Sequence, residues 1–261
     1  MLDIAIAAGQ ETLQHFGATT LEVESKSDAS PVTIADRAAE RRVREIIKAD
    51  FGSDAVLGEE FDPKLGSSGY RWVVDPIDGT KSFICGVPLY STLLALELVG
   101  GGNEDSGEPT VNTLGGVILI PALGEIVVAA QGLGAWNRRG QDAWIRSRVS
   151  NKSSIDQAIF VTSQVDSFDR RQAGDAYKRL ESESYISRTW GDGYGYLMVA
   201  TGRADIMVDP ICNAWDVAAI APIVEEAGGK FTDWKGVATT RGGDGIGTNG
   251  HLHDAVLNLL G

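Results

Sequence analysis

Apolar positions near the N-terminus recur at helical spacing. Leu2, Ile6, Gly9, Leu13 and Phe16 alternate by four and three residues, which lines them along one stripe of a helix closed by Gly17. A second helix is predicted from about Thr33, just after Pro31, to about Ala49, with Ile34, Ala38, Ile46 and Ile47 as its buried face. The polar stretch 22–30 between them reads as a loop or a ragged hairpin. Beyond Phe51 and Gly52 the period shortens. Apolar runs at 55–57, 71–74, 89–98, 116–120 and 126–130 predict strands, and the Gly-, Asp- and Glu-rich segment 100–113 predicts an exposed hairpin loop.

From residue 158 onward strand and helix alternate. Strands are expected at 158–162, 185–188 and 204–208, and helices at 168–181, 193–201 and 215–227. Short strands at 230–232 and 245–248 then precede a closing helix over 251–260. Such alternation favours an α/β layer with helices covering a sheet. No repeat and no long linker interrupts the chain, so one domain is expected over 1–261, with a strand-rich half 1–150 and an alternating half 151–261.

Composition narrows the function. With 43% apolar and 23% charged residues the chain can fill a core, which excludes disorder throughout. The 23 basic and 36 acidic side chains leave a net charge of −13, which opposes nucleic-acid backbones and anionic membrane surfaces alike. No apolar run approaches the ~20 residues of a membrane-spanning helix, and no basic segment leads into an apolar start, so the cytosol is the expected compartment. Cys85 and Cys212 lack a CxxC partner and read as free thiols.

The segment 72–83, WVVDPIDGTKSF, carries the most chemistry. An apolar strand runs into Asp75, Pro76, Ile77, Asp78, Gly79 and Thr80, so two carboxylates emerge where a strand ends and a helix can start. The amides of Gly79 and Thr80 at such a terminus suit a phosphate. Acids beside an anion site make sense with a hard cation between them, and Mg²⁺ takes carboxylate plus phosphate oxygens. Glu59 and Glu60 at the end of one apolar run, and Asp216 at the start of an apolar helix, are candidates to complete the set. Each also has an ordinary reading as a surface acid, a helix cap or a turn.

These motifs make the sequence resemble the inositol monophosphatase family of Mg²⁺-dependent, lithium-sensitive phosphatases. Gly58, Glu59 and Glu60 match its GEE element, residues 75–80 its DPxDGT element, and Trp215, Asp216, Val217, Ala218 and Ala219 its WDxAA element. The match extends from Pro31, Val32, Thr33 to Gly228, Gly229. Segments 190–210 and 221–229 are more similar to the histidinol-phosphate phosphatase branch than to the inositol branch. The resemblance implies a layered α/β/α/β/α sandwich, a homodimer, and hydrolysis of L-histidinol phosphate in histidine biosynthesis. An inositol phosphatase or a broad sugar-phosphate phosphatase is the alternative within the class. A catalytically silent metal- or phosphometabolite-binding protein is the alternative outside it, and such relatives are expected to lose a ligand or Thr80, none of which is missing.

By the same resemblance, Glu59, Asp75 and the carbonyl of Ile77 hold one Mg²⁺, Asp75, Asp78 and Asp216 a second, and some members bind a third. Glu59 and Thr80 orient or deprotonate the attacking water, while Gly79 and Thr80 amides bind the phosphate. Glu60 is expected to tune metal affinity rather than to ligate. Asp36 fits two readings, a support for Thr80 with a role at a third metal, and a capping box with Thr33. Asp209, seven residues before Asp216, fits the family's substrate-contacting acid, suited to an ammonium group, or starts a turn before Pro210. Asp192 in the WGDGYG loop is a second substrate candidate, and Asn213 a weaker one. His251 and His253 form an HxH pair without nearby acid or Cys ligands, which favours structural roles. Trp136 and Trp144 read as packing anchors.

Overall fold

Small residues set the first layer. In helix α1 (Leu2–Leu13) the buried positions are Ile4, Ala5, Ala8, Gly9 and Thr12, because a side chain at Gly9 would meet Leu119 at 2.5 Å. The larger apolar residues of the expected stripe lie at its edges, Leu13 being 43% exposed. Strands β1 (Val23–Ser25) and β2 (Pro31–Thr33) pair antiparallel. The structure, a computed structural model, describes residues 1–18, 23–25, 31–102 and 109–261, so most of the expected 22–30 loop lies outside the described residues. Helix α2 (Ile34–Asp50) starts at Thr33 as expected, yet it buries Ala35, Asp36, Ala39, Glu40, Val43 and Ile47 and leaves Ile34 exposed. The buried face thus shares only Ile47 with the expected one, and it includes two acids.

Both helices cover a seven-stranded sheet. It comprises β3 (Ala55–Gly58), β4 (Tyr70–Asp78), then after the five-residue helix α3 (Thr80–Ile84) β5 (Ser91–Gly102), β6 (Pro109–Ile120), β7 (Glu125–Ala130), β8 (Gly134–Arg139) and β9 (Ile145–Arg146), in sequence order. The β3–β4 pair is parallel and the rest antiparallel. The described flanks of segment 100–113 extend the β5–β6 ladder as far as the Gly102–Pro109 pair, and residues 103–108, the middle of the expected loop, lie outside the described ones. Alternation along β4 sends Trp72 and Val74 toward α1 and α2, and Val73 to the opposite face.

The second sheet has the order β11-β10-β12-β14-β13. Its elements are β10 (Ile159–Val161), α4 (Asp166–Arg170), α5 (Gly174–Glu183), β11 (Ile186–Arg188), α6 (Asp192–Ala200), β12 (Ile206–Asp209), α7 (Ala214–Val217), α8 (Ile220–Glu226), β13 (Lys230–Thr232), β14 (Gly245–Thr248) and α9 (His253–Leu260). Two expected helices are broken. The 168–181 helix splits where Gln172 takes φ 62°, a left-handed conformation. The 215–227 helix breaks before α8, where Pro222 has no N–H to offer the carbonyl four residues earlier.

Helices α6 and α8 lie between the sheets. One apolar cluster joins Val73, Leu93 and Ile118 of the first sheet, through Leu197 and Ile223, to Val161 and Met207 of the second. Another places Phe168, Leu180 and Val256 of α4, α5 and α9 on the far face of β10, β12 and β14. The layers therefore run α/β/α/β/α, as the sequence implied. His253 is buried between Thr232 and Thr248, whose hydroxyls meet its ring nitrogens at 2.9 and 3.0 Å, and burial holds its pKa down at about 4. Trp136 is 40% exposed under Arg146 and anchors less than expected. Both cysteines are free.

Candidate active site

The DPIDGT segment ends β4 in a bulge. Asp75 pairs with Leu93 and Asp78 with Ser91 on β5, with the ladder out of register between them. The bulge turns both carboxylates toward one crevice. Asp75 is 2% and Asp78 8% exposed. Local bonds fix each of them: the Ile77 N–H donates to Asp75 Oδ1 at 3.1 Å, and the Ser91 hydroxyl donates to Asp78 Oδ2 at 2.7 Å. The Gly193 N–H at the start of α6 donates to the same Asp78 oxygen.

Asp216 arrives from α7, held by the Asn213 N–H at 2.6 Å. Carboxylate oxygens of Asp75, Asp78 and Asp216 lie within 4.8 Å of one another. Glu59, just past β3, is close enough that its charge acts on Asp75, Asp36 and Asp216. Burial, then mutual repulsion, pushes Asp75 and Asp78 well above the ordinary carboxylate range, while Asp216 is raised to about 7. The expected ligand acids are thus brought together, and Glu60 stands beside them, its N–H taken by Glu40.

Thr80 and Asp36 are placed differently from the simplest expectation. The Thr80 hydroxyl donates to the Ile77 carbonyl at 3.1 Å, the carbonyl named as a metal ligand. That oxygen keeps a second lone pair. Asp36 forms the capping box, its Oδ2 accepting from the Thr33 N–H at 2.8 Å and the Thr33 hydroxyl at 2.6 Å. Its other oxygen, Oδ1, is buried without a hydrogen-bond partner among the described residues, and burial raises the pKa of Asp36. Of the two readings of Asp36, the capping box is the one formed in the structure.

A cavity of about 510 Å³ opens over this cluster, lined among others by Lys81, Ser163, Arg170, Trp190, Asp192 and Asp209. Asp192 takes φ 54°, rare for a side-chain-bearing residue, and its carboxylate abuts Gly79. Gly79 itself has φ 85°, and a Cβ there would stand 2.7 Å from Asp192 Oδ2, so glycine is required on both counts. Ser163, which the sequence reading missed, connects the two substrate-side acids. Its hydroxyl accepts from the Asp192 N–H at 2.9 Å and donates to Asp209 Oδ1 at 2.5 Å. Burial raises the pKa of both, that of Asp209 to about 7. Ser163 follows β10, and a small polar residue just past a strand in an α/β layer is the signal that would have found it. Lys81 and Arg170 were also missed; nothing in the pattern around Arg170 marks it. Asn213 also lines the cavity.

The donor set is all oxygen, buried and mutually repelling, which fits a hard divalent cation. The orphaned Asp36 oxygen points the same way. Residues 2–260 match the inositol monophosphatase family. A histidinol-phosphatase of Chlorobaculum parvum is 41% identical over 245 residues, covering 94% of this chain and 88% of that protein. A histidinol-phosphatase of Mycobacterium tuberculosis is 38% identical over 262 residues, covering 100% of this chain and 96% of that one. Among solved structures, the extragenic suppressor protein suhB of Bartonella henselae superposes with a TM-score of 0.84 at 27% identity, covering 100% of this chain and 96% of that chain.

Proposed function

This chain belongs to the inositol monophosphatase family, and from that premise we propose that it is a Mg²⁺-dependent phosphomonoesterase that hydrolyses L-histidinol phosphate to L-histidinol and phosphate, within histidine biosynthesis. The observation that carries the reading is the convergence of Asp75, Asp78 and Asp216 within 4.8 Å in a cavity that Asp192 and Asp209 also line. One cluster of acids is built for a metal, the other for a cationic group on an otherwise anionic substrate. Relatives named histidinol-phosphatase at 38% to 41% identity support the substrate.

Glu59, Asp75 and the Ile77 carbonyl would hold one Mg²⁺, and Asp75, Asp78 and Asp216 a second. Bound there, Mg²⁺ supplies a Lewis acid that makes water easier to deprotonate and offsets the charge of the phosphate. Glu59 and the Thr80 hydroxyl orient the attacking water, and the Glu59 carboxylate receives its proton. Gly79 and Thr80 amides hold phosphate oxygens, the left-handed turn at Gly79 bringing the backbone close. Asp209 and Asp192, braced by Ser163, take the substrate ammonium. Asp36 supports Thr80, and its second oxygen would serve a third metal.

The finer properties implied by the resemblance belong to the same proposal: inhibition by Li⁺, a homodimer and a cytosolic place. Among the described residues no helix is long and apolar enough to cross a membrane. The test is phosphate release from L-histidinol phosphate, inositol 1-phosphate and a bisphosphorylated nucleotide at matched concentration with Mg²⁺. Histidinol phosphate is expected to rank first; if it ranked last, the substrate assignment would be lost.

A further inference from the structure

Glu40 is fully buried on α2, one turn beyond Asp36. Its Oε1 accepts from Arg44 Nε at 2.8 Å, a pairing complete within the helix. Its Oε2 leaves the helix and accepts from the Glu60 N–H at 2.7 Å. Arg44 reaches the same turn, donating from Nη2 to the Phe61 carbonyl at 3.1 Å, and the guanidinium carbons of Arg41 and Arg44 stand 5.9 and 5.7 Å from the centre of the Phe61 ring. On the other side of Glu59, Gly58 lies so close that a Cβ would sit 2.1 Å from Glu40 Oε1. The residues before and after Glu59 are therefore both seated on one buried carboxylate.

We propose that Glu40 is a positioning residue of the active site: its carboxylate, with Arg44, clamps the 58–61 turn and so sets the orientation in which Glu59 meets the metal. This rests on Glu59 being a metal ligand. A buried acid that served only the helix has its partner in Arg44 and no need of the Glu60 amide. Gly58 is glycine because the clamp occupies the space a side chain would take.

The test is calorimetric titration of the full chain with Mg²⁺ alone, paired with kcat as a function of Mg²⁺ and with Tm. Glu40→Gln, nearly isosteric, is expected to weaken Mg²⁺ binding by about 10–100-fold, the range for outer-shell partners of metal ligands, and high Mg²⁺ restores most of kcat because every ligand remains. Gly58→Ala is expected to do the same by displacing the clamp, which keeps the proposal testable if Glu40→Gln does not fold. Val43→Ala, on the same buried face of α2 but facing the apolar core, lowers Tm without moving the isotherm. Wild-type Mg²⁺ affinity in Glu40→Gln, or an equal loss in Val43→Ala, overturns the proposal. Glu59→Gln separates the two layers. If it too binds Mg²⁺ normally, the ligand assignment fails; if it alone is impaired, only the clamp fails.

Discussion

The β4–β5 ladder buries acids at both ends and treats them in opposite ways. At one end Glu97, fully buried, faces its cross-strand partner Arg71 at 2.7 Å and also takes both oxygens to Arg241 at 2.7 and 2.8 Å. At the other end Asp75 and Asp78 face Glu59, Asp192 and Asp216. The rule at Glu97 holds elsewhere: Glu125 has Arg203, Asp205 has Lys152 and Asp244 has Arg171. Each of these four buried acids has a cation, while buried Asp54 and Asp233 are held by neutral donors, Ser68 and Trp72 for the one and backbone N–H groups for the other. Where the chain gathers acids against one another, burial and repulsion raise the pKa values of Asp75, Asp78 and Asp216, and the balancing charge is left to a bound metal.

Asp216→Asn breaks the comparison most sharply. Phosphate release is expected to fall about a thousandfold or more, since even outer-shell partners of metals cost about 10–100-fold. The metal-free protein should gain Tm, because a repelling buried charge is gone; unaltered turnover contradicts the metal site. Glu97→Ala does the reverse. It strands two guanidiniums at a cost of about 3–5 kcal/mol, read by urea unfolding, and leaves the Mg²⁺ isotherm unchanged.

Acidity gives the next effect. Carboxyls whose folded pKa is raised favour the protonated folded state, so their contribution is whole below the unfolded value near ~4. It is lost as pH rises through the folded values, about 7 for Asp209 and Asp216. Metal-free protein should therefore lose Tm from these groups between pH about 4 and 7, and the Tm gained on adding Mg²⁺ should grow over the same window. His253, held at about 4, pulls the other way as pH falls below its unfolded value, so His253→Gln isolates the carboxyl contribution. A Mg²⁺ increment that shrinks as pH rises contradicts the assignment. The smallest effect is Asp192→Asn, expected to raise KM for histidinol phosphate about tenfold, the ~1.4 kcal/mol of one weakened charged contact, with little change for inositol 1-phosphate. Equal changes for both sever Asp192 from the ammonium.

What the sequence made legible follows the same division. The strands of the apolar middle and the DPIDGT turn read correctly because apolar runs and a Gly-centred turn report directly on burial and backbone shape. The inner helices read less well. Periodicity favoured Leu2, Leu13 and Ile34, whereas close packing of α1 selects Ala5, Ala8 and Gly9, and α2 turns Asp36 and Glu40 inward for the site. Hydrophobic pattern fails where function overrides it. Gln172 and Pro222 broke helices whose apolar spacing runs on unbroken, and β8 and β9 were hidden by Asn137, Arg138 and Arg139. Ser163 and Glu40 act through long-range bonds that no local spacing encodes.

The direct measurement is phosphate release from L-histidinol phosphate by metal-stripped protein as Mg²⁺ is added back. No turnover is expected without the cation, and recovery should track its binding and be absent in Asp216→Asn. Full turnover after chelation, or none at saturating Mg²⁺, contradicts that expectation.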